Sequence, residues 1–357
     1  MRLINLVDSV SQLNYGIWNT VTSDAGAFRL HGIKSELWFP ATEFSNEDVI
    51  TVPLSSLSVD TIKQYINARQ LDPSTDIIIS HGCWHFPTRW GNAFRKKNFK
   101  WVALPHGMLD PWAMKQKAIK KLVYYNLFEK RMLAGAHVLR AVSYPEKARL
   151  SQLFPGKNIQ FIGNGVETVE NIPAKQHATR TYLFMSRLHH KKNIIPLLKA
   201  WTASSLNNQR NVELIIAGPD QGELRDMTTL IDNSENISYI GTVYGEEKKQ
   251  LLRKAHFYVL PSLSEGLPTS LLESMSFGLV PIISDGCNLP QVFTSNIGIN
   301  SGTDVSSIGS ALEQSRAWTD HQIQTTGASC KTFVDATFSR NHVLDAQVNL
   351  YRSLLHQ

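Results

Sequence analysis

A chain of 357 residues is longer than one ordinary domain and fits two of roughly 150 to 200 residues, each able to bury its own core. Hydrophobic residues make up 42% and charged residues 18%, with no low-complexity tract, a balance that excludes intrinsic disorder. A net charge of +6 favours anionic partners such as phosphates, nucleic acid or acidic lipid without choosing among them.

The N-terminal residues 1–8 lack both the apolar stretch and the small-residue cleavage site of a secretion signal, so they read as a first strand. The longest apolar runs, 213–217 and 279–283, are strand-sized, whereas a membrane-spanning helix needs about 20 apolar residues. Cys83, Cys287 and Cys330 have no metal or redox spacing and suit a reducing compartment, so a cytoplasmic location is expected.

Along the chain, short β-rich runs alternate with helical patterns, the signature of an α/β protein with parallel sheets covered on both faces. Expected strands in the first half are 2–7, 34–39, 76–80, 101–104, 137–142 and 160–162. The turn after the first, residues 11–18, holds a single glycine, Gly16. His81 and His85 follow the strand at 76–80, and basic residues cluster at Arg95, Lys96, Lys97 and Lys100. The run Leu104-Pro105-His106-Gly107-Met108-Leu109-Asp110-Pro111-Trp112 places His106 at the C-terminal end of a strand, the edge where doubly wound sheets bind ligands.

A helical pattern follows, with Lys115, Lys117, Lys120, Lys121, Lys130 and Arg131 beside Trp112, Ile119, Leu122, Val123, Leu127, Phe128, Met132 and Leu133. It reads as a core helix with a solvated basic face, or else as a contact with an anionic membrane surface. Residues 167–180 carry Pro173 and no periodicity, as a linker should. A second set of strands is expected at 182–186, 212–217, 237–240, 257–260, 280–284 and 297–299, followed by helix over 319–355 with a break near Ser339.

The most informative stretch runs from Phe257 to Ile283. A strand ends at Leu260, a polar turn follows, and Pro268 occupies a position tolerated in a first helical turn. A helix starting near Pro268 or Thr269 points free N–H groups toward Gly266 and Leu267, which makes a phosphate site. Glu265 and Glu273 can both face one ligand: one carboxylate can accept bonds from ribose hydroxyls while the other orients a sugar or stabilises positive charge growing at its anomeric carbon. The bland reading is a capping glutamate and a surface glutamate.

In this context the stretch resembles the E-x7-E signature of the retaining glycosyltransferase family 4, including Gly278 and the following strand with Pro281. Arg187-Leu188-His189-His190-Lys191-Lys192-Asn193 is similar to that family's R-L-x-x-x-K-[GN] element, with asparagine in place of the commoner glycine. Residues 214–220 resemble the family's strand ending beside the nucleotide, residues 240–243 the turn near the base, Asn164-Gly165-Val166 the close of the first domain, and residues 105–112 a form found in bacterial surface-polysaccharide members. The first turn departs from the family's glycine pair, leaving Gly16 alone.

The resemblance implies a GT-B fold, two Rossmann-like doubly wound parallel-sheet domains facing across a cleft. Residues 1–170 would bind acceptor, 171–180 link, 181–335 bind nucleotide sugar, and 336–357 form a C-terminal helix returning to the first domain. It implies transfer of a sugar, with retention and without a metal or other cofactor, from a UDP or GDP sugar to a glycan or lipid-linked acceptor, in lipopolysaccharide, O-antigen, capsule or exopolysaccharide synthesis. Catalytic roles fall to Glu265, His106, Arg187 and Lys192, and donor binding to Glu273, Gly266, Leu267, Thr269, Gly218, Val243 and Gly16. Peripheral contact with the anionic inner face of the membrane is left open beside the core-helix reading, and nucleic acid is not an expected partner. Alternatives are a nucleotide-sugar epimerase or phosphorylase of the same architecture, and a non-catalytic membrane- or glycan-binding scaffold. No P-loop, dinucleotide fingerprint, H-E-x-x-H, C-x-x-C or G-x-S-x-G is present.

Overall fold

The computed structural model describes all residues except 12–14, 117, 173–174, 176–178, 233 and 357. Parts of the expected first turn and linker, and Lys117, therefore lie outside the described residues. The chain divides into two units, Met1–Gly165 with Val343–Gln357, and Val166–His342.

The first unit is built on a seven-stranded, all-parallel sheet of order β3-β2-β1-β4-β5-β6-β7. Its strands are β1 (Arg2–Val7), β2 (Lys34–Pro40), β3 (Ile50–Leu54), β4 (Asp76–His81), β5 (Lys100–Leu104), β6 (Val138–Ala141) and β7 (Ile159–Phe161). β4 is buried at every position, as a central strand covered on both faces must be. β3 was not expected: Pro53 interrupts a five-residue run, which confines it to the sheet edge. One face packs Ile4, Trp38, Ile78, Trp90, Phe94 and Trp101. The other packs Leu3, Ile77, Ile79 and Val102 against Leu344, Val348, Tyr351 and Leu354 of the last helix, Arg340–Leu355.

The second unit holds a six-stranded parallel sheet of order β10-β9-β8-β11-β12-β13. Here β8 is Arg180–Met185, β9 Val212–Ala217, β10 Ile237–Tyr239, β11 Phe257–Leu260, β12 Val280–Ile283 and β13 Ile299–Asn300. The helix Asp320–Phe338 opens with a capping box of Thr319 and Gln322 and stops at Ser339. In each sheet the strand order reverses once, between β1 and β4 and between β8 and β11, and ligands of such sheets bind beyond the strand ends at that point.

Candidate functional site

In the second unit, the segments leaving β8 and β11 meet. After β8 the chain is pinned to the turn beyond β9, with Leu188 N–H donating to Pro219 O at 2.8 Å and Gln221 N–H to Leu188 O at 2.9 Å. One tight turn, His190–Lys192, then ends at Asn193 in the left-handed region, φ 63°. Asparagine is among the few side chains that tolerate that conformation, which accounts for its place where glycine is commoner. Its amide also donates to Thr303 O at 2.6 Å.

This turn carries Lys192 to Glu265. Nζ lies 2.6 Å from Oε1, and each side chain is only 10% exposed. Ser262 Oγ donates to the same carboxylate oxygen at 2.5 Å. The backbone of Glu265 is held on both sides, its N–H donating to Gly286 O at 2.6 Å and its carbonyl accepting from Asn288 Nδ2 at 2.5 Å. A buried pair of this kind is poor evidence for added stability, because desolvating two ions offsets most of their attraction. What it secures is position: a cation and a carboxylate fixed beside the sheet's reversal.

Glu273 sits in the helix Thr269–Ser276, which Pro268 precedes. Its carboxylate receives Lys248 Nζ at 3.0 and 3.2 Å, both side chains being about one-third exposed. Lys248 was missed by sequence reasoning, since a Glu-Glu-Lys-Lys run reads as a solvated helix face. The start of the Thr269–Ser276 helix is tied to the end of β8 through buried Tyr258, whose hydroxyl donates to Met185 O at 2.9 Å and lies 2.7 Å from Ser270 Oγ. Burial raises the Tyr258 phenol far above its ordinary value, so it stays protonated and able to donate. Gly266 is half-buried and Leu267 buried just ahead of that helix start.

Gly218 closes β9 at φ 144°, and a Cβ there would lie 1.9 Å from Ser186 O, so no side chain fits. Its N–H donates to Gly241 O at 2.7 Å, and Val243 is buried two residues beyond. Arg187 occupies the same loop as Lys192 but donates to Gln221 Oε1 at 3.1 Å.

The first unit holds a separate cluster at the ends of β4 and β5. His106 adopts φ 55° and is followed by Gly107 at φ 73°. The turn is clamped by Glu146, whose two oxygens accept Gly107 N–H at 2.6 Å and Val142 N–H at 2.8 Å. Burial lifts the Glu146 carboxyl to about 7, the two amide bonds opposing the shift. His106 Nε2 lies 3.0 Å from His81 Nδ1, and His81 Nε2 lies 3.1 Å from Asn5 Oδ1. Sequence reasoning placed His81 on this edge but missed Asn5 and Glu146. His85 immediately precedes the helix Phe86–Arg95, makes no side-chain capping bond to it, and faces Asp8 at 3.6 Å, outside this cluster. Gly16 is exposed in the helix Tyr15–Leu30, with open space where a Cβ would be.

The expected core helix after His106 requires correction. Ile119 is 83% exposed, and Leu122, Val123, Leu127 and Phe128 are each more than half exposed. The inward positions are Tyr125, Glu129 and Leu133. Glu129 accepts from Trp84 N–H and Thr88 Oγ1, anchoring a π-turn at Tyr125–Glu129. The outward apolar stripe at 119, 122, 123 and 127 is flanked by exposed Lys115, Lys120, Lys130 and Arg131. Among the described residues no helix is long and apolar enough to cross a membrane, and no group of His, Cys, Asp and Glu is arranged to hold a metal ion.

Two parallel-sheet α/β units of this topology define the GT-B fold. Sucrose-phosphate synthase from Thermosynechococcus elongatus superposes with a TM-score of 0.80 over 100% of this chain and 99% of its own, at 16% identity. Residues 165–309, spanning the Lys192–Glu265 and Lys248–Glu273 pairs, match the family model of glycosyl transferases group 1. A Campylobacter jejuni relative named GalNAc-alpha-(1->4)-GalNAc-alpha-(1->3)-diNAcBac-PP-undecaprenol alpha-1,4-N-acetyl-D-galactosaminyltransferase is 39% identical over 108 residues, 30% of this chain and 29% of its own. The GDP-mannose:cellobiosyl-diphosphopolyprenol alpha-mannosyltransferase of Xanthomonas oryzae is 29% identical over 174 residues, 47% of this chain and 45% of its own. The chain thus spans less than half the length of these relatives.

Proposed function

We propose that the chain is a retaining glycosyltransferase that moves a sugar from a UDP or GDP sugar to a lipid-linked or glycan acceptor in surface-polysaccharide synthesis, such as lipopolysaccharide, O-antigen, capsule or exopolysaccharide. The observation that carries this reading is the Lys192–Glu265 pair, fixed where the second sheet reverses and flanked by the start of the Thr269–Ser276 helix. The names of the two relatives, both alpha-transferases acting on diphosphate-linked polyprenols, support the acceptor class and the anomeric outcome.

In this reading Lys192 and Arg187, with the helix start near Gly266, Leu267 and Thr269, neutralise the departing diphosphate, as fixed cations and amide dipoles do without reorganising during the reaction. Glu273 accepts bonds from the ribose, and Gly218 and Val243 border the nucleotide. Glu265 contacts the transferred sugar, and His106 binds a substrate hydroxyl. The acceptor oxygen forms its bond to the anomeric carbon as the bond to the diphosphate oxygen breaks, on one face of the ring. The acceptor's proton passes to the leaving diphosphate oxygen. The exposed apolar and basic stripe at 119–131 lies against the anionic cytoplasmic face of the membrane, where a polyprenol acceptor resides.

A panel of nucleotide sugars with product mass detection, comparing wild type with Lys192→Ala and Glu273→Ala, tests the assignment. Full transfer rates in both variants with every accepted donor would remove these residues from the site. Absence of UDP and GDP binding would favour a scaffold, and donor epimerisation without acceptor would favour an epimerase.

A further inference from the structure

We propose that Asn5 and His81 are positioning residues that fix the tautomer of His106, so that its ring offers an unprotonated Nδ1 to a substrate hydroxyl. This rests on His106 touching substrate, as proposed above.

The argument starts at Asn5, buried on the central strand β1. Its Nδ2 faces acceptors, Glu36 O at 3.2 Å, Leu3 O at 3.4 Å and Ser35 Oγ at 3.1 Å. Two of these are backbone carbonyls, which only accept, so the amide cannot be turned round. Oδ1 therefore points to His81 Nε2, and an amide oxygen can only accept. His81 Nε2 must carry a hydrogen.

A neutral imidazole has one N–H, which leaves His81 Nδ1 with a lone pair directed at His106 Nε2, 3.0 Å away. The two ring planes differ by 18° and their centroids lie 5.3 Å apart, so the rings meet edge to edge, as an in-plane N–H···N bond requires. His106 Nε2 is then the donor, and Nδ1 of the same ring is the acceptor. A cationic His81 would reverse this order. Burial, His106 and Arg140 hold His81 well below its ordinary value, and burial and Arg140 push His106 down to about 3, so both rings are neutral near pH 7. The nearby Arg140 guanidinium is itself held by Ile162 O at 3.0 Å and Gly163 O at 2.9 Å. The ring's location is set independently, since Glu146 clamps the turn through backbone amides. The relay decides which nitrogen is bare.

Histidine-ring 15N spectra of the full chain, recorded without substrate, read the tautomer directly. The expected result near pH 7 is His106 protonated on Nε2 alone, with His81→Phe shifting the ring to a mixture. A His106 ring protonated on Nδ1, or unchanged in His81→Phe, overturns the proposal. In transfer assays His81→Phe should lower kcat by up to about 100-fold, the low end of what a positioned acid–base group contributes, with KM for the acceptor little changed. His81→Gln, whose amide can donate to Asn5 and accept from His106, should recover most of that loss. Failure of His81→Gln to recover while it folds and restores the ring spectrum overturns the link to catalysis. Failure of the glycosyltransferase reading would show differently, as no transfer by wild type with the ring spectra as expected.

Discussion

Removing Lys192 separates its two contributions. In Lys192→Met the carboxylate of Glu265, 10% exposed, keeps Ser262 Oγ but loses its cation. Breaking one side of a buried ion pair costs about 3 to 5 kcal/mol, because the remaining charge is left without compensation. In a unit of this size each kcal/mol moves the midpoint by roughly 2 to 4 °C, so a loss of ~6 to 20 °C is expected by thermal unfolding. Lys192→Met/Glu265→Gln removes both charges, and most of the lost stability should return, since a neutral amide can still accept from Ser262. Transfer should not return. Without the cation the leaving diphosphate loses roughly 10²- to 10³-fold in kcat, the magnitude typical of one fixed stabilising group. Stability is read by urea and thermal unfolding, and kcat is read well below the midpoint of each variant. A single variant as stable as wild type, or a double variant that regains both stability and rate, would refute the reasoning.

Gly218→Ala should cost about 3 kcal/mol, because φ 144° and a Cβ 1.9 Å from Ser186 O admit no side chain; an unchanged urea midpoint would contradict this. Gly16→Ala, with open space at the Cβ, should raise stability by about 0.5 to 1 kcal/mol and slow transfer; unchanged kinetics would remove Gly16 from the donor site. Replacing Ile119, Leu127 and Phe128 with serine should abolish co-sedimentation with vesicles containing phosphatidylglycerol and leave the unfolding free energy within about 1 kcal/mol of wild type, as these side chains are exposed; retained sedimentation refutes the membrane assignment. His106 has a folded pKa lowered to about 3, so the unfolded chain binds the extra proton between about 3 and 6.5. The stability tied to this ring is complete above 6.5 and is lost as pH falls through that window. His106→Asn, which tolerates φ 55°, should flatten that part of the profile, and an identical acid slope in both proteins would argue against it.

The parallel strands were legible because central strands buried on both faces leave continuous apolar runs, as at Ile77, Ile78 and Ile79. β3 was not, since Pro53 removes a ladder donor and breaks the pattern that periodicity detects. Lys192 and Glu265 could be singled out because the strand-to-helix turns that carry them resemble the R-L-x-x-x-K and E-x7-E elements of glycosyltransferase family 4; spacing alone left the glutamate open between a site and a capping role. Lys248, Glu146 and Asn5 could not. Their partners Glu273, Gly107 and His81 lie 25, 39 and 76 residues away, and no local signal encodes a contact made only when two strands or helices are brought side by side.

The helical segment around residues 118–133 failed in a more instructive way. Spacing of apolar residues establishes that a helix has a stripe needing a non-aqueous neighbour, but not what that neighbour is. The inward contacts are made by Tyr125, Glu129 and Leu133, and the longer stripe containing Ile119, Leu122, Val123 and Leu127 is left outside. Apolar surface that stays in water contributes nothing to folding, so burial in this chain gives no reason for the stripe. The flanking Lys115, Lys120, Lys130 and Arg131 add attraction to an anionic surface at roughly 1 kcal/mol each. In the function proposed above, the residues that cannot explain the fold mark the surface that would meet a lipid-linked acceptor.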